Sequence, residues 1–384
     1  MNNKYTEVTR NSWGSRIMSS FVGVLFGIIL FLGSFFLVWW NEGNSIRTEN
    51  DLKKGNKDII SVKSDTPLPA NENKLVHLSG KVETADTLID DEFGIATNAI
   101  ALSRKVLIYQ WVESTTERTE KELGGSEKVI KEYNYTKKWV YEPTNSSGFK
   151  IEEGHVNKCN FPYRDTITMA QNAKVGSFDL TAPLLQQIDK FEDYIIDSNL
   201  YNKTFTISSN TIYLGSGKIN DDPEIGDMKI SFQVAYAPKM VSIIAQQLKG
   251  TLSPYIGENA TKIVKLAYGT VSADNMIKLA LKENSSQTWI LRGLGLVLCI
   301  IGLILILKPI SVIMDVLPIL GSIANFGTGI LSVILGLILI LTTISIAWLF
   351  YRPILSISLF AVIVPLFIYL YRKGKKKDET MKLS

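Results

Sequence analysis

The feature that most constrains this chain is the segregation of its apolar residues. The 384-residue sequence is 46% hydrophobic, yet its long uncharged runs are confined to one stretch near the N-terminus and to the C-terminal part. Such runs match the roughly 20 residues that an α-helix needs to cross a hydrocarbon core of about 30 Å. The intervening residues 41–288 are polar and rich in turn-forming residues. This pattern excludes a purely soluble chain and predicts a multi-pass α-helical membrane protein.

The first predicted span covers residues 20–40 and follows Arg10 and Arg16. A signal peptide has a shorter apolar region and ends in small residues at its cleavage site. This run is longer and ends in Trp39 and Trp40, which are typical of the membrane–water interface. The sequence therefore predicts an uncleaved anchor.

Three further spans are predicted in the C-terminal part of the chain. Lys308 and Pro309 follow the second span, and Tyr351, Arg352 and Pro353 form a short turn before the fourth. Four spans place both termini on the same side of the membrane. The predicted organisation is an N-terminal flank (1–19), a first span (20–40), a β-rich α+β extramembrane domain (41–288), a three-span bundle (289–371, with spans at 289–307, 323–350 and 354–371) and a basic tail (372–384).

The basic residues near the C-terminus set the predicted orientation. Short flanks rich in Lys and Arg stay on the cytoplasmic side, whereas long domains translocate largely regardless of their charge. Both termini are therefore predicted to be cytoplasmic, and the central domain to face the lumen, the periplasm or the exterior. Besides fixing the orientation, such a tail suits contact with anionic lipid. Its basic residues are Arg372, Lys373, Lys375, Lys376 and Lys377.

The predicted spans contain no Asp, Glu, Lys or His, and Arg292 lies at an interface. Ionisable residues inside a membrane mark proton relays and ion paths, so their absence argues against a proton-coupled transporter. Ser19, Gly23 and Gly27 lie on one face of the first span, and this spacing permits close helix pairing. The general frequency of glycine in membrane helices explains the same spacing equally well.

The central segment is predicted to be mostly β. Alternation over residues 228–234 puts four apolar side chains on one face, as in a half-buried antiparallel strand. The near-continuous apolar run at residues 106–113 indicates a central strand buried on both faces. We expect a linker over residues 41–70, a helix over residues 183–197 and a helix capped by Ser272. Further strands are expected at residues 75–81, 129–141, 204–208, 240–248 and 262–268.

The chain offers little material for a catalytic or metal site. It has two histidines, His77 and His155, and two cysteines, Cys159 and Cys299. Neither histidine has a cysteine or an acid at metal-ligand spacing, and two cysteines cannot form a disulfide framework. We therefore expect no catalytic residues, no metal and no cofactor. The one nucleophile–base pair to weigh is Cys159 with His155, because a catalytic cysteine needs a nearby base.

Two acidic clusters and five glycosylation sequons complete the candidate sites. The acidic clusters at residues 90–92 and 221–224 match no metal-binding loop, and they are interpreted as solvated turns. The net charge of +4 and the lack of a basic–aromatic stripe argue against nucleic acid as a partner. The sequons are compatible with a lumenal domain without demonstrating one. Their acceptors are Asn134, Asn145, Asn202, Asn259 and Asn284.

A set of short strings stands out along the chain, from the exit of the first span to the turn after the third. Its members have unknown roles, and we call them the signature residues. They are Trp40, Asn41, Glu42, Gly43, Arg47, His77, Ser79, Gly80, Phe93, Gly94, Tyr109, Gln110, Trp111, Gly226, Asp227, Trp289, Trp348, Tyr351, Arg352 and Pro353. Together these strings resemble the transmembrane protein 43 family, also called LUMA. The resemblance covers nearly the whole chain in order.

The resemblance implies four spans and a large lumenal domain in the endoplasmic reticulum and the inner nuclear membrane. It also implies homo-oligomers and, in a eukaryote, association with nuclear-envelope proteins such as emerin and lamins. In a bacterium the corresponding location is the cytoplasmic membrane, where a lamin partner does not exist. The family has no established catalytic residues, so none is carried over.

We interpret the chain as a non-enzymatic membrane scaffold that oligomerises and binds lipid and other membrane proteins. Two alternatives stay open. One is a lumenal thiol enzyme or hydrolase that uses Cys159 and His155. The other is a channel or a channel-modulating subunit with a pore lined by Asn325, Thr328, Ser332 and Thr343.

Overall fold

The structure is a computed structural model that describes residues 3–158, 161–197, 206–208, 210–215 and 222–353, and of residues 318–321 only the backbone. Its α-helices are α1 (Trp13–Asp58), α2 (Ala182–Leu185), α3 (Ala273–Met314) and α4 (Pro318–Tyr351), and short 3-10 helices cover Pro69–Asn71 and Ser146–Gly148. Its strands are β1 (Lys4–Asn11), β2 (Ile60–Ser61), β3 (Leu75–Thr84), β4 (Thr87–Asp90), β5 (Ile95–Asn98), β6 (Ala101–Lys121), β7 (Glu127–Val140), β8 (Thr166–Met169), β9 (Ala173–Val175), β10 (Phe178–Leu180), β11 (Glu192–Asp193), β12 (Thr206–Ser208), β13 (Thr211–Leu214), β14 (Met228–Ala235), β15 (Lys239–Leu248), β16 (Thr251–Ser253), β17 (Tyr255–Ile256), β18 (Lys262–Ile263) and β19 (Lys265–Tyr268).

Among the described residues, three helices are long and apolar enough to cross a membrane. They are α1, α3 and the segment Ser322–Tyr351 of α4. Together with the β-rich region between α1 and α3, they confirm the coarse prediction of a multi-pass chain with a large β-rich part. The predicted fourth span, residues 354–371, and the basic tail after it lie outside the described residues.

The described chain divides into two compact units. The β-rich unit comprises residues 3–9, 51–119 and 129–280. The helical unit comprises residues 10–50, 120–128 and 281–353. Residues 120–128 of the helical unit are the tip of the hairpin between β6 and β7, so this tip packs with the helices.

Two sheets contribute to one hydrophobic core in the β-rich unit. The first has the order β1-β7-β6-β14-β13-β12, with β8 against β6 and β11 against β14. The second has the order β19-β15-β16-β10-β9-β3-β2, and β15 also pairs with β3. Both inner faces supply fully buried side chains, which removes a large apolar area from water and drives this part of the fold. Among the largest are Leu78, Phe178, Ile230, Phe232 and Ile243.

The strand predictions in this unit are largely confirmed. Met228, Ile230, Phe232 and Val234 are all buried on one face of β14. The predicted central strand at residues 106–113 lies within β6, between β7 and β14, although its second face is only partly buried. The remaining predicted strands are present where the structure describes them; the segment 262–268 forms two strands, β18 and β19.

The linker expected over residues 41–70 is wrong for its first half, because α1 continues without a break to Asp58. This part of α1 lacks an apolar stripe. Its buried positions include the polar residues Asn41, Glu42, Ser45 and Asp51. Distant partners satisfy these groups, so no local pattern shows that they face inward.

The helix expected over residues 183–197 is also wrong, because only α2, Ala182–Leu185, is helical there. The backbone N–H groups of Asp189 and Lys190 both donate to the Tyr268 hydroxyl, at 2.9 and 3.0 Å. Glu192 and Asp193 then pair with β14 as strand β11. Contacts from the sheet therefore override the helical spacing of the apolar residues.

Helix α3 begins where the sequence predicts, and it extends past the residues predicted to close the second span. Ser272 caps the helix as expected: the Asn275 amide donates to its Oγ at 3.4 Å, and the Met276 amide to its carbonyl at 3.0 Å. The span predicted to close at Lys308 and Pro309 instead continues as helix to Met314. Proline is tolerated inside membrane helices because neighbouring groups compensate for the missing donor.

Candidate functional site

Three long helices of the helical unit meet at a buried ion pair, just after the first apolar run. Glu42 of α1 is 1% exposed. Its carboxylate accepts hydrogen bonds from Arg292 of α3, from Nε at 2.6 Å and from Nη2 at 2.9 Å. It also accepts one from Trp348 Nε1 of α4 at 2.9 Å. One carboxylate therefore joins three helices, and we call Glu42, Arg292 and Trp348 the exit cluster.

The guanidinium of the exit cluster is enclosed by aromatic rings. Arg292 Cζ lies 4.6 Å from the ring centroid of Trp289 and 5.8 Å from that of Trp348. Trp289 and Arg292 share a helix face because they are three residues apart. A planar guanidinium can bind a carboxylate through two hydrogen bonds while it stacks on aromatic faces, which an ammonium cannot do equally well. The residue type thus fits the geometry.

The consequence of this burial is specificity of the helix arrangement. A buried ion pair adds little net stability over apolar packing, but removing one partner costs about 3–5 kcal/mol because the other charge stays buried. Any shift of α1 against α3 or α4 would separate Glu42 from its donors. The exit cluster therefore fixes the register of the three helices.

A seam of neutral hydrogen bonds continues from the exit cluster along α1 and α3. The Asn41 side-chain amide donates to the Thr288 carbonyl at 3.1 Å. The Thr288 hydroxyl lies 2.7 Å from Ser45 Oγ, and Asn284 Nδ2 donates to the Ser45 carbonyl at 2.9 Å. These bonds satisfy polar groups that would otherwise be costly to bury.

Aromatic contacts and a second ion pair join α1 to the end of α4. A Cβ atom on Gly43 would lie 2.6 Å from Tyr351 Cζ, so the ring requires glycine at this position. The ring centroid of Trp39 lies 5.9 Å from that of Tyr351. Arg352 Nη2 donates to Glu49 Oε2 at 2.6 Å, in a more exposed setting than the exit cluster.

The small-residue stripe of the first span is used inside the chain. A Cβ atom on Gly27 would lie 2.8 Å from the Gly302 carbonyl oxygen, and one on Gly302 would lie 2.8 Å from the Gly27 oxygen. The two backbones therefore pack directly against each other. The close helix pairing permitted by Gly23 and Gly27 thus occurs between α1 and α3, with Gly27 at the point of closest approach.

A second group of buried charges lies where α1 begins and α3 turns into α4. Asp315 is 1% exposed. Its carboxylate pairs with Arg16 Nη2 and with Lys121 Nζ, each at 2.5 Å. Arg16 Nε also pairs with Glu127 at 3.0 Å, and its Nη1 donates to the Gly125 carbonyl at 2.5 Å. We call Arg16, Lys121, Glu127 and Asp315 the tip cluster.

The sequence identified most of the exit cluster and none of the tip cluster. Glu42 and Trp348 belong to the short strings singled out in the sequence, and the sequence predicts Arg292 at a membrane interface. The four residues of the tip cluster come from three segments far apart in sequence, and each looks like an ordinary surface charge. The one available signal was Asp315, an isolated acid within an otherwise apolar stretch.

Signature residues of the β-rich unit hold its strands and turns together. His77 Nε2 lies 2.8 Å from the Val271 carbonyl, and Ser79 Oγ lies 2.7 Å from Ser242 Oγ. Gly80 packs closely against Val175, with 2.7 Å from a Cβ position to that side chain. These contacts place β3 against β15 and β9, so they support the fold and do not converge on a site.

A second signature group joins β6 to the turn before β14. The Tyr109 amide donates to the Asp227 carbonyl, and the Gly226 amide donates to the Tyr109 carbonyl, both at 2.8 Å. Gln110 Nε2 donates to the Glu142 carbonyl at 2.8 Å. Outside both groups, the signature residues Trp40, Arg47 and Pro353 are exposed.

His155 is enclosed by aromatic rings. Its ring stacks on Tyr135 at a centroid distance of 4.0 Å and meets Trp111 edge-on at 4.8 Å. Its Nδ1 lies 3.2 Å from the Ile151 carbonyl. A ring held in this way packs as a core residue. Cys159, its proposed nucleophile partner, lies outside the described residues, and Cys299 is buried among α1, α3 and α4 side chains as a free thiol.

The acidic cluster at residues 90–92 is paired with a cation. Arg104 Nη1 binds Asp90 Oδ2 at 2.9 Å and Glu92 Oε2 at 2.5 Å. Its guanidinium also lies 5.4 Å from the ring centroid of Phe93, beside Gly94 in the same turn. Burial raises the pKa of Asp90, and the nearby Arg104 opposes that shift only in part. The cluster is thus a structural ion pair. At 221–224, Asp221 lies outside the described residues.

The sequon acceptors differ in their surroundings. Asn145 is exposed and caps the 3-10 helix Ser146–Gly148, whereas Asn134 is half-buried in β7. Asn259 Nδ2 donates to Asp51 at 2.7 Å, and Asn284 Nδ2 is already engaged with Ser45. Asn202 lies outside the described residues.

The residues proposed to line a pore do not share one environment. Ser332 is fully buried, and Thr328 Oγ1 lies 3.2 Å from Ser311 Oγ of α3. Asn325 is exposed. Thr343 donates to the Leu339 carbonyl within its own helix at 2.8 Å. Two of the four therefore pack within the chain.

Across the described ranges of the chain, no three His, Cys, Asp or Glu side chains converge in a way that could hold a metal ion. A cavity of about 540 Å³ lies beside β6 and is lined by Val106, Ile108, Tyr141, Tyr163 and Arg164 among others. The cavity is open to the surface, and Glu142 and Asp165 also line it.

Comparison with known proteins places these features in a family. The family model described as Transmembrane protein 43 matches residues 108–353. Transmembrane protein 43 of Rattus norvegicus is 30% identical over 395 residues, covering 98% of this chain and 96% of the relative. The Homo sapiens protein of the same name is 30% identical over 383 residues, covering 95% and 93%.

A less similar relative matches a shorter part of the chain. The Transmembrane protein 43 homolog of Drosophila melanogaster is 26% identical over 304 residues, covering 78% of this chain and 80% of the relative. No solved structure matches the chain.

Proposed function

This chain belongs to the transmembrane protein 43 family, and we propose that it is a non-enzymatic membrane scaffold that self-associates and organises other membrane proteins. The observation that carries the proposal is the exit cluster. Its buried carboxylate accepts from three donors on two other helices. Such an arrangement serves to fix helices, and a fixed set of helices can present a constant surface to partners.

Self-association is supported by the outer surface of the helices. Large apolar side chains project from all three helices, among them Phe36 of α1, Ile290 of α3 and Phe326 of α4. Lipid tails or a second copy of the chain would cover them. Because Gly27 and Gly302 are already used between α1 and α3, we propose that copies associate through α4 and the fourth span.

The proposal includes four spans, with residues 354–371 as the fourth and the basic tail after it on the cytoplasmic side. Both termini are then cytoplasmic, and the segment between α1 and α3 faces the opposite side; the pairing of β1, in the N-terminal flank, with β7 speaks against this placement of the N-terminus. The excess of basic residues in the tail supports this orientation.

The location follows from the source of the chain. In a eukaryotic cell we propose the endoplasmic reticulum and the inner nuclear membrane, with emerin and lamins among the neighbours. In a bacterium we propose the cytoplasmic membrane, with other membrane proteins and lipid as partners. The family resemblance supports the eukaryotic location. The composition of the spans fits a eukaryotic and a bacterial membrane equally well.

The test uses two differently tagged copies of the full chain expressed in the same membrane. We expect crosslinking before solubilisation to join the two tags, and each tag to recover the other in mild detergent. A Glu42→Ala variant should lose this association, and Glu49→Ala, which alters the more exposed ion pair, should keep it. A wild-type chain that stays monomeric in detergent and forms no crosslinked species in the membrane would contradict the proposal.

A further inference from the structure

The outer faces of α1 and α3 each carry a tryptophan and a basic residue at the edge of the apolar segment. On α1, Trp40 is 48% exposed, and Arg47 is exposed as well. On α3, Trp289 is 66% exposed, and Lys282 is exposed as well. The basic residue lies two helical turns from the tryptophan, on the same face and on the side away from the apolar segment. Both helices therefore present the same order along one exposed face.

The register of α1 against α3 places these residues at matching levels. The two helices run antiparallel, so each step forward along α1 is matched by an equal step back along α3. By this register, Trp40 lies level with Trp289, and Arg47 lies level with Lys282. The contacts that fix the register are those of Gly27 with Gly302, of Asn41 with Thr288 and of Ser45 with Asn284.

The large exposed side chains on the inner side of the two tryptophans are apolar. On α1 they include Leu32 and Phe36, which are 58% and 75% exposed. On α3 they include Val297 and Ile301, which are 51% and 41% exposed. Both helices are apolar enough to cross a membrane, and tryptophan is enriched at the membrane–water interface. The two tryptophans therefore mark the headgroup level on the side of the exit cluster, which we call the exit side.

Helix geometry carries the two basic side chains in opposite directions. The Cα–Cβ bond of a helical residue is tilted towards the N-terminus of its helix. On α1 this direction leads back to Trp40, whereas on α3 it leads away from Trp289. Two turns correspond to about 10 Å along the axis, and a long basic side chain can extend its charge back over much of that distance. Arg47 is therefore placed to reach the headgroups, and Lys282 is not.

Arg47 also lacks an acid of its own. Two other arginines of the helical unit, Arg292 and Arg352, bind Glu42 and Glu49. Within the described part of the chain, Arg47 has no ion-pair partner. A guanidinium can bind one phosphate through two parallel hydrogen bonds, which an ammonium cannot do. The side chain thus has the charge and the geometry to bind a phosphate at the headgroup level.

We propose that Arg47 binds the phosphate of a phospholipid headgroup on the exit side of the membrane, beside Trp40. The occupant follows from charge complementarity and from continuity with the apolar face of α1, which lipid tails cover. The inference rests on the proposed membrane crossing of α1 and α3, and it does not depend on self-association. The contact fixes the depth of α1 in the bilayer, close to the point where the exit cluster fixes its register.

The experiment compares phospholipid with a lipid that has no phosphate. The full chain carries a fluorescent label at Asn44→Cys, an exposed position between Trp40 and Arg47, and its own cysteines are replaced (Cys159→Ser and Cys299→Ala). It is reconstituted into nanodiscs of diglucosyl diacylglycerol that contain increasing fractions of phosphatidylcholine with a spin label on its headgroup. Quenching then reports how strongly phospholipid is enriched beside the label over the bulk composition.

A matched reference position lies on α3. The label at Ser286→Cys, also exposed and between Lys282 and Trp289, should show no enrichment. At Asn44→Cys we expect an enrichment of about fivefold, the factor that one basic residue contributes near a lipid surface. The variant Arg47→Gln should abolish this enrichment, and Lys282→Gln should leave it unchanged.

Several results would overturn the proposal. They are a wild-type chain without enrichment at Asn44→Cys, an enrichment that survives Arg47→Gln, and an enrichment that Lys282→Gln removes equally. Loss of the enrichment in millimolar inorganic phosphate would also overturn it, because the site would then serve a free anion.

A third label separates this inference from the proposed function. The label at Phe36→Cys should be quenched by phosphatidylcholine that carries its spin label on the acyl chain. If it is not quenched, α1 is not embedded, and the proposed spans fail together with the inference. If it is quenched while Asn44→Cys shows no enrichment, the inference alone fails. Self-association of Arg47→Gln should equal that of the wild type.

Discussion

The exit cluster holds one buried anion with one cation, whereas the tip cluster holds two anions with two cations. Both belong to the helical unit. Along α1, Arg16 and Glu42 are separated by about 39 Å, from a rise of 1.5 Å per residue. A hydrocarbon core is about 30 Å thick. The two clusters thus mark the two ends of the apolar part of α1.

The difference between the clusters lies in redundancy. Within the described part of the chain, the ion pair of Arg292 is with Glu42, and removing Glu42 leaves the guanidinium without an acid. In the tip cluster, Arg16 keeps Glu127 and the Gly125 carbonyl when Asp315 is removed, and Lys121 is partly exposed to water. Loss of one member should therefore cost more at the exit than at the tip.

The largest effect is expected for Glu42→Ala. The guanidinium of Arg292 and the indole N–H of Trp348 then stay buried without an acceptor, and the free energy of unfolding should fall by about 3–5 kcal/mol. Thermal unfolding in mild detergent measures this change.

The matched control for that variant is Glu49→Ala on the same helix. Its ion pair with Arg352 is more exposed, and exposed pairs contribute about 0–1 kcal/mol. Equal losses for the two variants would show that burial does not decide the contribution, and the comparison between clusters would fail.

A smaller loss is expected for Asp315→Ala. Because Arg16 retains an acid and a carbonyl, the free energy of unfolding should fall by about 1–3 kcal/mol, the range for leaving buried polar groups unsatisfied. The same unfolding assay applies. A loss as large as that of Glu42→Ala would mean that the tip cluster has no redundancy.

Between the two clusters, α1 and α3 approach each other too closely at Gly27 to admit a larger side chain. The variant Gly27→Val tests this close approach. The new side chain meets the Gly302 backbone, and overpacking of this kind costs about 1–3 kcal/mol. Gly33→Ala on the same helix, where nothing lies within 4 Å, should be neutral or slightly stabilising. Both are measured by thermal unfolding; a loss for Gly33→Ala equal to that for Gly27→Val would exclude the proposed close approach.

The smallest effect concerns Tyr135 of the β-rich unit. Its neutral phenol donates to the Glu113 carboxylate, so this pair holds one charge and is a reference for the ion pairs of both clusters. Tyr135 donates to Glu113 at 2.8 Å, and burial together with this bond raises the pKa of Tyr135 to about 12. The raised pKa favours the neutral phenol in the folded state. Its contribution is therefore complete below the unfolded pKa of about 10 and lost as pH rises towards the folded value.

Tyr135→Phe should accordingly lower the free energy of unfolding by about 1–2 kcal/mol at neutral pH. The difference from wild type should shrink between pH 10 and about 12. Chemical unfolding at several pH values measures it. A difference that stays constant up to pH 12 would show that the phenol does not titrate with folding.

The parts of the fold that the sequence predicts are those with a local pattern. Uncharged runs identified the apolar helices, and alternation identified the buried face of β14 through Ile230 and Phe232. The extension of α1 to Asp58 has no such pattern, because its inward positions are polar. The polar residues of α1 can be buried there because Thr288, Arg292 and Asn259, which are distant in sequence, supply their hydrogen-bond partners.

The same reasoning separates the two clusters. Glu42 lies next to an apolar run and within a recognisable string, so the sequence singled it out without giving its partner. Lys121 and Glu127 lie in a polar hairpin where charge is ordinary. Their burial depends on the path of β6 and β7 towards the helices, and no spacing in the sequence encodes that path.

The most direct test of the account is the unfolding of Glu42→Met, Arg292→Met and the double variant in lipid nanodiscs. The central claim is that the buried charges of Glu42 and Arg292 are kept because each neutralises the other. Each single variant should then lose about 3–5 kcal/mol, and the double variant should regain most of that loss, because no buried charge is left unpaired. Self-association should return with stability. A double variant that loses the sum of the two single losses would contradict the claim and assign each charge a separate role.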